Sequence, residues 1–173
     1  MENTLTVSTL HNLIDYDVSR FISAEVELKN IMPKWINAAN SLQLKNVMNK
    51  YLDYVTQHVQ KLEEFYDQEG ISSLSIGNRI MLAYIEEANE KLAYCKNIEI
   101  RDACLLSCVQ VINHFKISIY GTAAAFATAL GMKEWAKIFH EAETNEKQVD
   151  ENLSYLAEHE INVNARSPIV LTK

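Results

Sequence analysis

Glycine and proline are scarce in this chain, four and two among 173 residues. Turns consume those residues, so an all-β architecture of many short strands is excluded. Cysteine is also rare, and its count of three is odd. That excludes a fully paired disulfide framework and fits a reducing compartment. Basic residues are in deficit, 16 Lys and Arg against 23 Asp and Glu, for a net charge of −7. A nucleic-acid binder needs a basic face to displace counterions, so nucleic acid is excluded as the main partner. No run of roughly 18 consecutive apolar residues occurs, and no membrane span is expected. Met1 to Thr4 lack the basic start and apolar core of a signal peptide. A cytoplasmic location is expected. A Gly-rich phosphate loop and a recognisable nucleophile triad are also missing.

What is present is a globular balance: 48% hydrophobic and 23% charged residues, in a chain long enough to bury a core without staples. The composition points to one mostly helical domain with short loops.

Apolar residues recur at three- and four-residue steps, the signature of amphipathic helices. The first stripe runs from Leu10 through Phe21 and Leu28 to Trp35, with Ser8 or Thr9 as N-cap. Pro33 is expected to kink that helix or end it nearby. Asn40-Ser41 is a turn signal. A second helix spans about Leu42 to Glu69, and Gly70 is its natural stop. Residues 71–78 read as a loop. A shorter helix follows from about Arg79 to Cys95. The fourth runs from Arg101 to about Leu130, with Gly121 placed to let a neighbouring helix come close. The fifth runs from Lys133 to about His159. Residues 6–160 thus form one domain, and residues 161–173 read as an extended tail over the bundle or over a neighbour's bundle. Short links make an antiparallel hairpin of each pair, and the long middle connection allows a crossover. The expected fold is all-α: a ferritin-like up-down four-helix bundle, with an additional shorter helix between the second and third core helices.

The same periodicity shows which polar side chains point inward. Glu25 aligns with Phe21, Leu28 and Met32. His58 falls between Val55 and Leu62, with Tyr51 and Tyr54 near that face. Asn113 and Lys116 share a face with Val109, Ile112 and Tyr120. Glu146 follows Ala142, with Asp150 one step round. Buried carboxylates need a metal, a cation or hydrogen-bond donors. Carboxylate-bridged di-metal centres are built this way, but they call for Glu-x-x-His on two helices, and no bundle helix carries that string at inward positions. Lys116 would repel a bound cation and serves equally as a counter-charge for Glu25 and Glu146. His114 lies off the stripe. Cys104 and Cys108 share a helix face near Cys95. Without the fixed spacing of a zinc knuckle, they read as small buried hydrophobes.

Several segments resemble a known family. Ser23-Ala24-Glu25 followed by Met32-Pro33-Lys34 resembles the first-helix motif of the YciE/YciF-type ferritin-like proteins. Tyr120-Gly121-Thr122, preceded by His114 and Phe115, resembles their third core helix. Glu146-Lys147 and Asp150-Glu151 resemble their last-helix motif. The likeness runs from about Tyr16 to Leu156. It implies a bacterial, often dimeric bundle, loosely tied to stress responses, with a carboxylate and histidine cluster inside. Glu25, Glu146 and Asp150 match that cluster, and His58 falls where the family has Gln or His. Tyr51 stands where the family has His. Tyr54, Asn113 and Lys116 stand where it has Glu.

Two readings are open for the axis, beside a third in which the bundle binds a small molecule or a partner in a pocket where a metal once sat. In one, the bundle is non-catalytic and homodimeric, binds no cofactor, and replaces its metal centre by a buried salt-bridge network. In the other, Glu25, His58, Glu146 and Asp150 hold iron or manganese as a metal-binding protein or weak ferroxidase or peroxide scavenger.

Overall fold

The computed structural model describes residues 6–71 and 77–167. The expected helices are present. They are α1 (Leu10–Ala38), α2 (Leu42–Gln68), α3 (Arg79–Tyr94), α4 (Ile98–Ala129) and α5 (Lys133–Leu156). Thr9 caps α1 by accepting from the Asn12 amide, and Ser41 caps α2 by accepting from the Leu44 amide. Gly70 and Gly131 take φ of 61° and 73° at the ends of α2 and α4. Left-handed backbone of this kind favours glycine as a helix stop.

Pro33 does not end α1, which runs on to Ala38. The proline ring is on the exposed side, while Met32, Trp35 and Ile36 around it are buried. Packing of that stripe outweighs one lost backbone hydrogen bond. The chain beyond α5 also departs from the expected extended tail. A π-helical turn (Ala157–Ile161) and α6 (Asn162–Arg166) continue the helical path, and Ile161 is buried. Pro168 and the Ile169-Val170-Leu171 segment lie outside the described residues, as do residues 72–76 of the middle connection.

The four long helices form a square in which α1 adjoins α2 and α4, while α5 adjoins α2 and α4. Helix α3 lies across α1 and α4. The direction of each helix follows from contacts at the ends. Asp102 at the start of α4 accepts from the backbone amides of Asn40 and Ser41, each at 2.7 Å. The starts of α2 and α4 are therefore at the same end, and these two helices run parallel. Trp35 donates its indole N–H to Asn89 at 3.0 Å, and Asn78 lies beside Arg20 and Ser23. Helix α3 therefore runs alongside α1 and carries the chain back up the bundle, which is the crossover of a ferritin-like fold.

By length and composition α4 alone among the described helices is apolar enough to cross a membrane. It buries Asp102, Asn113 and Lys116 inside the bundle among Leu105, Ile112 and Tyr120, so its polar groups are matched by other helices rather than by lipid. Gly121 accommodates a side chain, not a backbone. A Cβ there would lie 3.1 Å from a carboxylate oxygen of Glu143 on α5.

A buried charge cluster as the candidate functional site

Each of the four long helices delivers at least one charged or titratable group to the axis. Glu25 from α1, Lys116 from α4 and Glu146 from α5 have no exposed side-chain surface, and His58 from α2 is nearly as buried. Lys116 Nζ lies 3.0 Å from Glu25 Oε2 and 2.6 Å from Glu146 Oε1. The ammonium thus sits between the two carboxylates. His58 Nδ1 completes the cluster, 3.6 Å from Glu25 Oε1 and 3.4 Å from Glu146 Oε1.

Neutral donors satisfy the remaining carboxylate oxygens. Tyr120 donates its hydroxyl to Glu25 Oε1 at 2.5 Å. Tyr51 donates to Glu146 Oε2 at 2.7 Å, and Asn113 donates to the same oxygen at 2.7 Å and to the Glu146 carbonyl at 3.0 Å. The Lys116 ammonium also stands over the Tyr51 ring, 4.6 Å from its centroid, a favourable cation–π placement.

The electrostatics follow from these contacts. Burial pushes the Glu25 carboxyl up, but the Lys116 charge and the contacts of His58 and Tyr120 outweigh it and hold the group below its ordinary range. Burial pushes the His58 imidazole down, but its contacts with Glu146 and Glu25 outweigh that and raise it. Burial and the adjacent carboxylates drive both Tyr51 and Tyr120 well above the ordinary phenol value, so both stay protonated donors. With His58 protonated, two positive charges face two negative ones and the cluster is neutral.

The residues expected from sequence separate into two groups. Glu25, His58, Asn113, Lys116 and Glu146 meet at the axis. Asp150 does not join them. It is about a quarter exposed, with its Oδ1 2.9 Å from His114 Nε2 and accepting from Gln110 at 3.1 Å. Tyr54 lies at the edge, donating to Gln148 at 3.1 Å and stacking on His58. The roles of Tyr51 and Tyr120 as donors were not read from sequence. Their places on the apolar stripes were visible, but their partners lie on other helices.

For a bound iron or manganese ion, Glu25, His58 and Glu146 each offer a ligand atom, all within 4.8 Å of one another. The Lys116 ammonium stands among the same carboxylate oxygens, at the point a shared cation would take. The donor set therefore fits a metal ion only if Lys116 moves away or loses its proton. A cleft of about 180 Å³ between α2 and α5 leads from the surface to His58 and Tyr120, bordered by Gln57, Lys61, Glu141 and Asn145. Away from the axis, Cys108 is buried, and burial with the nearby Cys108 and Cys95 raises the Cys104 thiol to about 12. A thiol held so far above neutrality is a poor nucleophile and metal ligand.

Fold and site together define a ferritin-like helical bundle whose axis is closed by an ammonium–dicarboxylate cluster. Over residues 9–166 the chain matches the family described as Domain of unknown function (DUF892), and it belongs to that family. It is 28% identical to the protein YciF of Escherichia coli K12, over 94% of this chain and 99% of the relative. The crystal structure of the E. coli stress protein YciF superposes with a TM-score of 0.82 at 27% identity, covering 90% of this chain and 99% of that one. YcfI from Rhodopseudomonas palustris shares the fold, with a TM-score of 0.81 at 20% identity over 89% of this chain and 97% of that one.

Proposed function

We propose that the chain is a non-catalytic, stress-associated bundle that acts as a structural or interaction protein and as a homodimer. In this reading Lys116 replaces a metal ion in holding the bundle axis together. The observation that supports it is the Lys116 ammonium, fully buried and shared between Glu25 and Glu146 at 3.0 and 2.6 Å. A shared metal ion neutralises a carboxylate pair and fixes the helices that carry it. A buried ammonium does the same and brings no redox or Lewis-acid chemistry. The association with stress rests on likeness to the E. coli stress protein. The dimer rests on family resemblance, and light scattering on the purified chain tests it.

A second reading is favoured by the convergence of Glu25, His58 and Glu146, which would hold iron or manganese after displacement of the ammonium. Elemental mass spectrometry decides between the two. Wild type and its His58→Gln variant are loaded anaerobically with ferrous iron or manganese and desalted. The first reading expects equal metal content in both, and a gain in Lys116→Glu, which restores a carboxylate at the axis. An ion held by wild type but lost in His58→Gln overturns it in favour of the second.

A further inference from the structure

At the end of the α1–α2 hairpin away from its turn, three side chains converge that have no part in the buried cluster. His11 and Asp15 lie one helical turn apart at the start of α1, on one face. Glu69 is the residue that caps the end of α2, and the antiparallel hairpin brings it beside them. His11 Nε2 is 3.1 Å from Glu69 Oε2 and 3.6 Å from Asp15 Oδ2. One ligand atom from each residue lies within 4.8 Å of the other two. Ligand atoms bound about 2.1 Å from one ion stand roughly 3.0–3.4 Å apart in octahedral or tetrahedral geometry. The imidazole–carboxylate spacings are close to that span.

A second observation concerns Asp15 itself. Its Oδ1 is buried and has no hydrogen-bond partner among the described residues. A carboxylate oxygen withdrawn from water without a donor is costly and is normally answered by a proton donor or a cation. Burial raises the Asp15 carboxyl, His11 opposes that, and Glu69 adds to it. Two carboxylates thus share one imidazole between them. His11 is about half exposed, which leaves coordination positions open to water.

We propose that His11, Asp15 and Glu69 form a surface site for a divalent cation of the zinc type, which clamps the open end of the α1–α2 hairpin. One imidazole and two carboxylates are a donor set that zinc accepts, with water completing the shell. Asp15 Oδ2, the oxygen that faces His11, would bind the ion, which would tie the first turn of α1 to the last turn of α2. The Asp102 contacts already fix the other end of the same hairpin.

The test is calorimetric titration of the metal-free full chain with Zn²⁺, repeated on His11→Ala, Asp15→Asn and His58→Gln. The expected result is about one equivalent bound by wild type and by His58→Gln, with a raised melting temperature. Binding weakens by about 100-fold in His11→Ala and Asp15→Asn, the upper end of what even an outer-shell partner contributes. His11 is half exposed and Asp15 a quarter exposed, and circular dichroism confirms that each variant folds. Absence of binding by wild type overturns the proposal and leaves the Lys116 reading intact. Binding that survives His11→Ala but is lost in His58→Gln overturns both, because the ion then sits at the axis. Binding that survives all three substitutions overturns the surface site alone.

Discussion

Lys116 is the cation that stands between the two carboxylates of the axis. An ammonium without exposed surface is tolerable only because two carboxylates meet it, and each carboxylate in turn has its own tyrosine donor. Removing one partner of such a network leaves uncompensated buried charge, which costs about 3–5 kcal/mol. Lys116→Ala is therefore expected to lower the unfolding free energy by about that amount, measured by urea titration followed by circular dichroism. A midpoint equal to that of wild type would sink the counter-ion role. The inward placement of Lys116 is legible in the sequence because a helical stripe has a fixed phase. Lys116 lies four residues from both Ile112 and Tyr120, so it points where they point. Asp150 shows the limit of the same reasoning. Four residues past Glu146 it is rotated about 40° further round the helix, and that carries it to the rim, where His114 and Gln110 meet it. Periodicity names a face; it does not resolve the edge of that face.

Among the elements, the hairpin formed by α1 and α2 is locked from outside. The turn at Asn40-Ser41 presents two backbone amides, and the Asp102 carboxylate from α4 accepts both at 2.7 Å. Ser41 also donates its hydroxyl to Glu160 in the π-helical turn, at 2.6 Å. A turn signal, a capping serine and the helix stripes were all visible in the sequence, because each is a local pattern. The lock was not, because Asp102 is about sixty residues away along the chain and sits in the first turns of a helix where an acidic residue has an ordinary local explanation. Residues 161–166 are helical where the local pattern suggests an extended tail, and Ile161 among them is buried. Asp102→Ala leaves two turn amides without their charged acceptor. Hydrogen bonds to charged groups are worth about 1.5–3 kcal/mol each, part of which water recovers at the turn. The expected loss is about 3 kcal/mol in a thermal or urea melt. Hydrogen exchange at the Asn40 and Ser41 amides should quicken along with it. Unchanged protection at those two amides would show that the turn stands without Asp102.

Taken as a whole, the molecule holds a neutral core of four charged groups only while His58 carries its proton, and that ties stability to pH with a definite sign. Glu25 is held below its ordinary value of 4.5. Its contribution is present above that value and is lost as the pH falls through the lowered one. His58 is raised above its ordinary value of 6.5. Its contribution is complete below 6.5 and is lost as the pH rises through the raised value. The two limbs together place the greatest contribution of the cluster on the weakly acidic side of neutrality, between the two ordinary values. Rising pH removes the imidazolium and leaves Lys116 alone against two buried carboxylates, so the alkaline limb belongs to His58. Urea midpoints measured from about pH 3 to pH 9 should fall on that limb in wild type and flatten there in His58→Gln, which keeps a polar side chain but cannot take up the proton. The acid limb should persist in that variant, because Glu25 still faces Lys116. A wild-type midpoint that instead rises with pH near the ordinary imidazole value, relative to His58→Gln, would mean that His58 is neutral in the folded chain and that the core carries a net negative charge. A bundle of that kind has a standing attraction for a cation through the cleft at His58 and Tyr120. The slope of this one limb therefore separates a core completed by its own proton from one still suited to an added metal ion.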